Sequence, residues 1–391
     1  MKQSQTRILT THAGSLPRPA ALVESFARGS QGETLDPAVL GPEVEAAVRT
    51  CLERQAAAGV DVANDGEQGR ESFVTYVRQR LSGYGGSWQR PIMRDIVAYP
   101  GFLAWRLGSM AGPQVSLLQT PVATGEVHHL GTAAVDRECR ELTRLRGEVE
   151  KETGREFTET FLTAASPGII AAAMPSRVHA GYREYVFTLA DELREEYAAI
   201  VRAGHLLQLD CPDLAMERHT SFADRPLGEF LDFVETNVAA INRAIAGLDA
   251  SAVRLHVCWG NYEGPHDSDV PLEAIVERIY GAHVGALVLS MANPRHAHEL
   301  SVLRRHPLPR SMLLVTGVID TTTNYVEHPE LVADRIEHAC AVVGDARRVL
   351  AGTDCGFDTA AGLRDVAEDV VWLKLAALRD GARIASERLF G

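Results

Sequence analysis

Short apolar runs alternate with longer amphipathic stretches along the whole chain. The runs occupy residues 8–13, 60–64, 161–165, 206–209, 253–257, 286–289, 312–318 and 349–351. Each is brief, rich in Val, Ile, Leu or Ala, and suits a strand buried on both faces. Between them, apolar positions recur at helical spacing over residues 43–58, 189–203, 227–246, 272–282, 331–343 and 366–378. Strands alternating with helices predict parallel pairing, and eight of them predict a (β/α)8 TIM barrel, an α/β fold. A doubly wound open sheet is the alternative, but no G-x-G-x-x-G follows a strand here. Residues 83–126 break the rhythm with Gly, Pro and two Trp. They predict an insertion or hairpin near the barrel mouth. No linker, repeat or low-complexity tract divides the chain, so residues 1–391 read as a single domain.

Polar residues gather where the runs stop. His12 and Ser15, Asp65 and Glu67, Ser166, Asp210 and Cys211, His256 and Cys258, Ser290, Asp320, and Asp354 with Cys355 all take such places. In a barrel these positions share the C-terminal rim, where active sites sit. His256 and Cys258 are two apart at a strand end, so both side chains face one way. Cys355 ends another run. One His and two Cys form a soft ligand set suited to zinc; a buried His and two buried Cys without metal fit the same residues. Asp65, Asp213 and Asp358 are expected as helix N-caps in βα loops. Glu67, Asp210 and Asp320 are expected to serve function.

Bulk properties narrow the partners. The chain has 391 residues and a net charge of −13, which disfavours nucleic acid and anionic membrane surfaces. No stretch approaches a membrane span of about 20 apolar residues. The first seven residues lack the apolar core of a signal peptide. Six Cys make no disulfide framework, and a reducing cytoplasm fits. The oligomeric state is open, with a homo-oligomer compatible.

The stretch Thr10-Thr11-His12-Ala13-Gly14-Ser15-Leu16-Pro17-Arg18-Pro19 resembles the opening of the catalytic barrel of cobalamin-independent methionine synthases. Asp65-Gly66-Glu67, Gln208-Leu209-Asp210, His256-Val257-Cys258, Gly317-Val318-Ile319-Asp320 and Asp354-Cys355-Gly356 follow in that family's order. The resemblance covers essentially the whole chain and extends to single-barrel members such as the epoxyalkane:coenzyme M transferases. It implies a zinc ion that binds a substrate thiol for alkylation. It implies zinc ligation by His256, Cys258 and Cys355, and a hold on the amino acid part of homocysteine at Gly14, Ser15, Glu67 and Asp210. On this reading the substrate-binding set is His12, Gly14, Ser15, Arg18, Glu67, Asp210, Ser290 and Asn324. The catalytic set is Asp320, Tyr262 and Glu67. Two positions depart from the synthase. Ser290 stands where that family has a fourth ligand, a Glu. Thr322 stands where it has a His proposed for proton transfer at the folate.

The expected function is therefore a zinc-dependent thiol S-alkyltransferase acting on a small thiol and a small electrophile or alkyl donor. The electrophile is epoxide-type or an activated methyl or alkyl group. A methionine-synthase-like methyltransferase is the first alternative, and a metal-free binding or decarboxylase-like barrel the second. Arg18, Arg70 and Arg80 are candidate anchors for an acidic group, with Arg80 expected on a solvated helix face. Tyr262 or His266 is expected to touch substrate from a loop over the site. His296 and His298 are expected at the surface or at a helix start.

Overall fold

The computed structural model describes residues 1–109 and 112–391. Nine strands are numbered in chain order. β2 (Tyr84–Gln89) and β3 (Gln119–Ala123) form an antiparallel hairpin. The other seven form one parallel sheet in chain order: β1 (Val62–Ala63), β4 (Glu159–Ala165), β5 (Leu206–Asp210), β6 (Val253–Val257), β7 (Ala286–Leu289), β8 (Leu313–Ile319) and β9 (Val349–Thr353).

The first apolar run closes this sheet on itself. Thr11 N–H donates to Ala351 O at 2.9 Å, and Val62 N–H donates to Thr10 O at 2.9 Å. Thr10 thus bridges to β9 and Thr11 to β1, both parallel. The eight predicted runs make the eight staves of a (β/α)8 barrel. The first is an extended stretch pairing at single residues rather than a full strand.

The outer helices follow the amphipathic stretches. They are α1 (Ala20–Ser30), α2 (Pro37–Ala58), α5 (Ala133–Thr153), α6 (Pro167–Ala173), α7 (Tyr182–Arg202), α8 (Leu227–Ala244), α9 (Leu272–Ile279), α10 (Val302–Arg305), α11 (Pro329–Val343) and α12 (Glu368–Phe390). α2 begins six residues before the predicted stretch, at residue 37 rather than 43. Asp36 caps it by accepting the Ala38 N–H, and Pro37 fills the first turn, where no N–H is missed. α5 was not predicted, because Arg and Glu dominate its sequence. Its buried face is Val135, Cys139, Leu142, Leu145 and Val149, spaced three or four apart. Leu142 and Leu145 each contribute about 2 kcal/mol by burial. Among the described residues, no helix is long and apolar enough to cross a membrane.

Residues 83–126 form the expected hairpin, with α3 (Arg94–Val97) and α4 (Pro100–Ser109) between its strands. Met110 and Ala111 of this segment lie outside the described residues. Asp95 of α3 pins the segment over the rim. Its buried Oδ2 accepts from Tyr262 Oη at 2.6 Å and from His266 N–H at 2.8 Å.

Inside the barrel, Leu9, Val62, Phe161, Leu206, Val288, Val315 and Leu350 pack as one apolar layer. Arg254 lies on it, with its guanidinium carbon 3.7 Å from the Phe161 ring centre. It donates to Thr11 Oγ1 (3.2 Å) and His12 O (3.1 Å) across the interior.

Gly317 marks a close approach between β8 and β9. A Cβ there would lie 1.9 Å from Asp354 Oδ1 and 3.0 Å from Asp354 Cα. The Asp354 carboxylate accepts from the backbone N–H groups of Met291 (2.8 Å), Ala292 (2.8 Å) and Asn293 (2.7 Å). Gly317→Ala would push it off these donors. The expected outcome is a loss of about 2 kcal/mol or more, read as a lower urea midpoint at unchanged m. An unchanged midpoint would show that this packing is dispensable.

Candidate metal centre and its cavity

Strand alternation builds the centre. Arg254 and His256 point into the barrel from β6, and Cys258 continues the same face one step past its end. Cys355 lies two residues beyond β9. The donor atoms of His256, Cys258 and Cys355 all lie within 4.8 Å of one another, and all three residues are buried.

Asp210 orients the histidine. It is the register partner of His256 across β5 and β6, and its Oδ1 is 3.1 Å from His256 Nδ1. With Nδ1–H given to Asp210, the Nε2 lone pair faces Asp354 O at 3.1 Å. Two acceptors facing each other need a proton or a cation nearby. Burial lowers the His256 pKa, but the Asp210 hydrogen bond and the neighbouring Cys258 and Asp210 charges outweigh it and raise it to about 9. The hydrogen bond from Cys355 brings Cys258 down to about 6, against burial and with help from His256. Cys355 is raised in turn by that bond and by burial. The thiol pair thus shares one proton. A divalent ion could replace it and the His256 Nε2 proton, so the residues fit a zinc-type centre. Ser290 Oγ donates to Asp354 O (2.7 Å) and lies 3.7 Å from Cys355 Sγ.

Glu67 reaches the same floor through a left-handed turn. Gly66 and Glu67 have φ of 66° and 56°. Asn64 Oδ1 accepts the Gly66 N–H (2.7 Å) and Asp65 Oδ1 the Glu67 N–H (3.0 Å), which holds the turn. A non-glycine residue in this region is strained, and the strain aims the carboxylate inward. Glu67 Oε1 accepts from Thr163 Oγ1 at 3.0 Å, while the buried Oε2 has no partner. Burial first, then the Asp210 charge, raises its pKa to about 7. Gly14 is required beside it, since a Cβ would stand 2.6 Å from Glu67 Oε1.

A cavity of about 290 Å³ opens above these groups. Ser15, Glu67, Asp210, His256, Cys258 and Cys355 line it, and its walls are largely apolar, including Ile92, Met93, Ile96 and Leu103 of the insertion and the Tyr262 ring. The exposed Arg364 also lines it.

Several other expected site residues hold the scaffold instead. His12 is fully buried, with Nε2 2.9 Å from Gln55 Oε1 and Nδ1 accepting from Gly14 N–H. Burial lowers its pKa to about 4, so it stays neutral. Arg18 is buried against Asp358 and donates to the carbonyls of Arg70, Asp358 and Glu67. Arg70 and Arg80 are both buried and both pair with Glu138; Arg80 is not on a solvated face. Asn324 is exposed and ties down the loop through Asp365 O and Ala367 N–H. Asp320 Oδ1 accepts from Thr322 N–H and Oγ1, both at 2.7 Å. It lines a smaller pocket with Ser290 and Cys355. Tyr262 lines the main cavity by its ring, but its hydroxyl is bound to Asp95. Of the expected N-caps, Asp65 holds the Glu67 turn, Asp358 the Arg18 pair, and Asp213 a buried contact with Ser166 Oγ (2.9 Å) and Asn237 Nδ2 (2.8 Å). His296 is buried rather than at the surface, and it takes the expected place at a helix start, immediately before the short helix Ala297–Ser301. The apolar insertion wall was missed, since no motif marks which loop folds back over a rim.

Residues 162–378 match the model of the cobalamin-independent synthase catalytic domain family. The chain belongs to this family. The matched span runs from β4 into α12 and includes His256, Cys258 and Cys355. Among relatives, the 2-hydroxypropyl-CoM lyase of Xanthobacter autotrophicus is 26% identical, covering 98% of this chain and 96% of its own. A methionine synthase of Saccharolobus islandicus is 25% identical, covering 97% and 95%. The fold matches that of a B12-independent methionine synthase from Shewanella sp. W3-18-1 in complex with selenomethionine, with a TM-score of 0.72 at 22% identity over 98% of this chain and 99% of that one.

Two outcomes follow for this family member. If the triad takes up added zinc, Asp210→Asn should weaken that uptake about 10- to 100-fold while the barrel stays folded, because the carboxylate fixes the His256 tautomer; competition with a chromogenic chelator measures it, and unchanged affinity would remove Asp210 from that role. Glu67 has an ordinary value of 4.5 and a folded value of about 7. Its folded state holds the proton more tightly, so its contribution is fully present below pH 4.5 and is lost as pH rises through about 7. Glu67→Gln should flatten that part of the stability profile between pH 4.5 and 7.5, as read by urea unfolding. An unchanged slope would show that Glu67 titrates normally.

Proposed function

We propose that the chain is a zinc-dependent thiol S-alkyltransferase. The observation that carries this is the buried His256, Cys258 and Cys355 triad at the floor of a mostly apolar cavity. Zinc bound there would favour the thiolate form of a substrate thiol and leave it nucleophilic towards carbon. Asp210 holds His256 in the ligating tautomer. Glu67 and Asp210 put negative charge beside the centre, which suits a thiol carrying an ammonium group. The apolar walls suit an uncharged carbon electrophile and exclude water.

The electrophile we favour is strained or otherwise activated, such as an epoxide. Sulfur forms a bond to carbon, the carbon–oxygen bond breaks, and the oxygen takes up a proton. Methyltetrahydrofolate is a weaker fit because its leaving nitrogen needs protonation. Thr322, which stands opposite the family's proton-transfer His, has its hydroxyl donated to Asp320 and is a poor general acid. Methyl transfer to homocysteine is the second reading, favoured by the acidic pair at the floor.

Zinc-loaded protein, assayed by mass spectrometry with homocysteine, is expected to form thioether with epoxypropane, and less of it with 2-mercaptoethanesulfonate, which carries no ammonium group. With homocysteine and methyltetrahydrofolate, turnover should stay well below about 1 s⁻¹. Turnover at or above that rate would select the second reading. Protein purified with no zinc at the triad would defeat both.

A further inference from the structure

Behind Trp259, three rim loops converge on one buried carboxylate. Asp269 Oδ2 lies 2.9 Å from His266 Nδ1 and 2.7 Å from His296 Nε2. Its Oδ1 lies 2.8 Å from His219 Nδ1. The side chains of all four residues are at most 3% exposed. His219 follows β5, His266 and Asp269 follow β6, and His296 follows β7. His296 stacks on Trp259 at 4.1 Å and His266 on Tyr262 at 4.3 Å. His266 sits at φ 51°, a strained conformation for a non-glycine residue.

Hydrogen bonds between neutral groups do not satisfy this cluster. His266 Nε2 is 3.0 Å from Tyr262 O, an acceptor, so it carries the ring proton and leaves the Nδ1 lone pair facing a carboxylate oxygen. His296 brings Nε2 to the same oxygen, and its Nδ1, 3.5 Å from Glu299 Oε1, makes no hydrogen bond. His219 approaches Oδ1 closely without forming a hydrogen bond. Asp269 Oδ1, both His219 nitrogens and His296 Nδ1 are buried without hydrogen-bond partners. A divalent cation takes up the His266 Nδ1 lone pair and the Asp269 charge together, with His296 Nε2 within reach of the same point. It also leaves each ligand ring its outer N–H for a carbonyl or carboxylate, the usual support of a metal-bound histidine.

We propose that His266 Nδ1, His296 Nε2 and Asp269 form a second divalent transition-metal site, with His219 packed beside Oδ1. The donor set is nitrogen and oxygen, with no sulfur, and suits zinc or iron(II). The donor atoms of the three ligands already lie within 4.8 Å of one another. The site would tie the loops after β6 and β7 together, with the β5 loop held against them, at the edge of the reaction cavity.

The test uses full-length protein purified without chelator and reconstituted with zinc or cobalt. Cys258→Ser/Cys355→Ser removes the sulfur donors of the first centre and should still hold about one equivalent of metal per chain. Its cobalt form should show visible d–d bands without thiolate charge-transfer absorption. Adding His266→Gln/His296→Gln should abolish that equivalent. Metal below about a tenth of an equivalent in the Cys variant would overturn the site. So would metal that survives loss of both histidines. Should the quadruple variant fail to fold, paramagnetically shifted histidine ring resonances in the cobalt-loaded Cys variant support the site, and their absence overturns it. Equal metal in wild type and Cys variant, lost with the histidines, would refute the first centre and still support this one.

Discussion

A buried guanidinium holds the barrel shut across its own interior. Arg254 lies against the face of Phe161 and donates to Thr11 Oγ1 and His12 O, both on the stave that closes the sheet. A desolvated cation over an aromatic ring is worth about 2 kcal/mol, and each hydrogen bond from a charged donor about 1.5–3 kcal/mol. Burial still pulls its pKa down to about 9, with Asp210 opposing. These contacts pin residues 10–12 against β6. The same strand carries His256 and then Cys258 on the same face, so the clamp that closes the barrel also sets the height of the sulfur and nitrogen donors.

Above that layer, the polar rim divides its labour. Asp354 turns its side chain to three backbone amides and its carbonyl to His256 and Ser290. Arg18 and Asp358 lock two loops together where both are dry. Among the described residues, Glu67 alone combines a buried oxygen without a partner and a strained backbone, the combination expected of a group positioned for function.

The staves were legible because a strand buried on both faces must read as an apolar run. The rim was legible because such runs end abruptly in His, Cys, Asp or Glu. Which rim residue faces which was not. Asp210 is the His256 orienter because β5 and β6 pair in one register, and a single sequence does not contain that register. Pattern alone points instead to Asp320, Asp354 and Asn261. Asn261 instead bonds Gly356 O and Thr321. Arg18 and His12 misled for a related reason: a polar residue at a strand end can face the cavity or the neighbouring loop, and only packing decides. α5 escaped because its five core residues are diluted among charges.

The hairpin carrying α3 and α4 meets the barrel rim through side chains such as Asp95 and a few backbone bonds, while the candidate metal donors belong to the staves themselves. The candidate donors and the cavity wall therefore reside in separately mutable parts. Changes at Ile92, Met93, Ile96 or Leu103 can reshape which molecules fit without disturbing a single donor atom. A lineage built this way can drift towards new substrates through one surface segment, keeping its chemistry intact while its clientele changes.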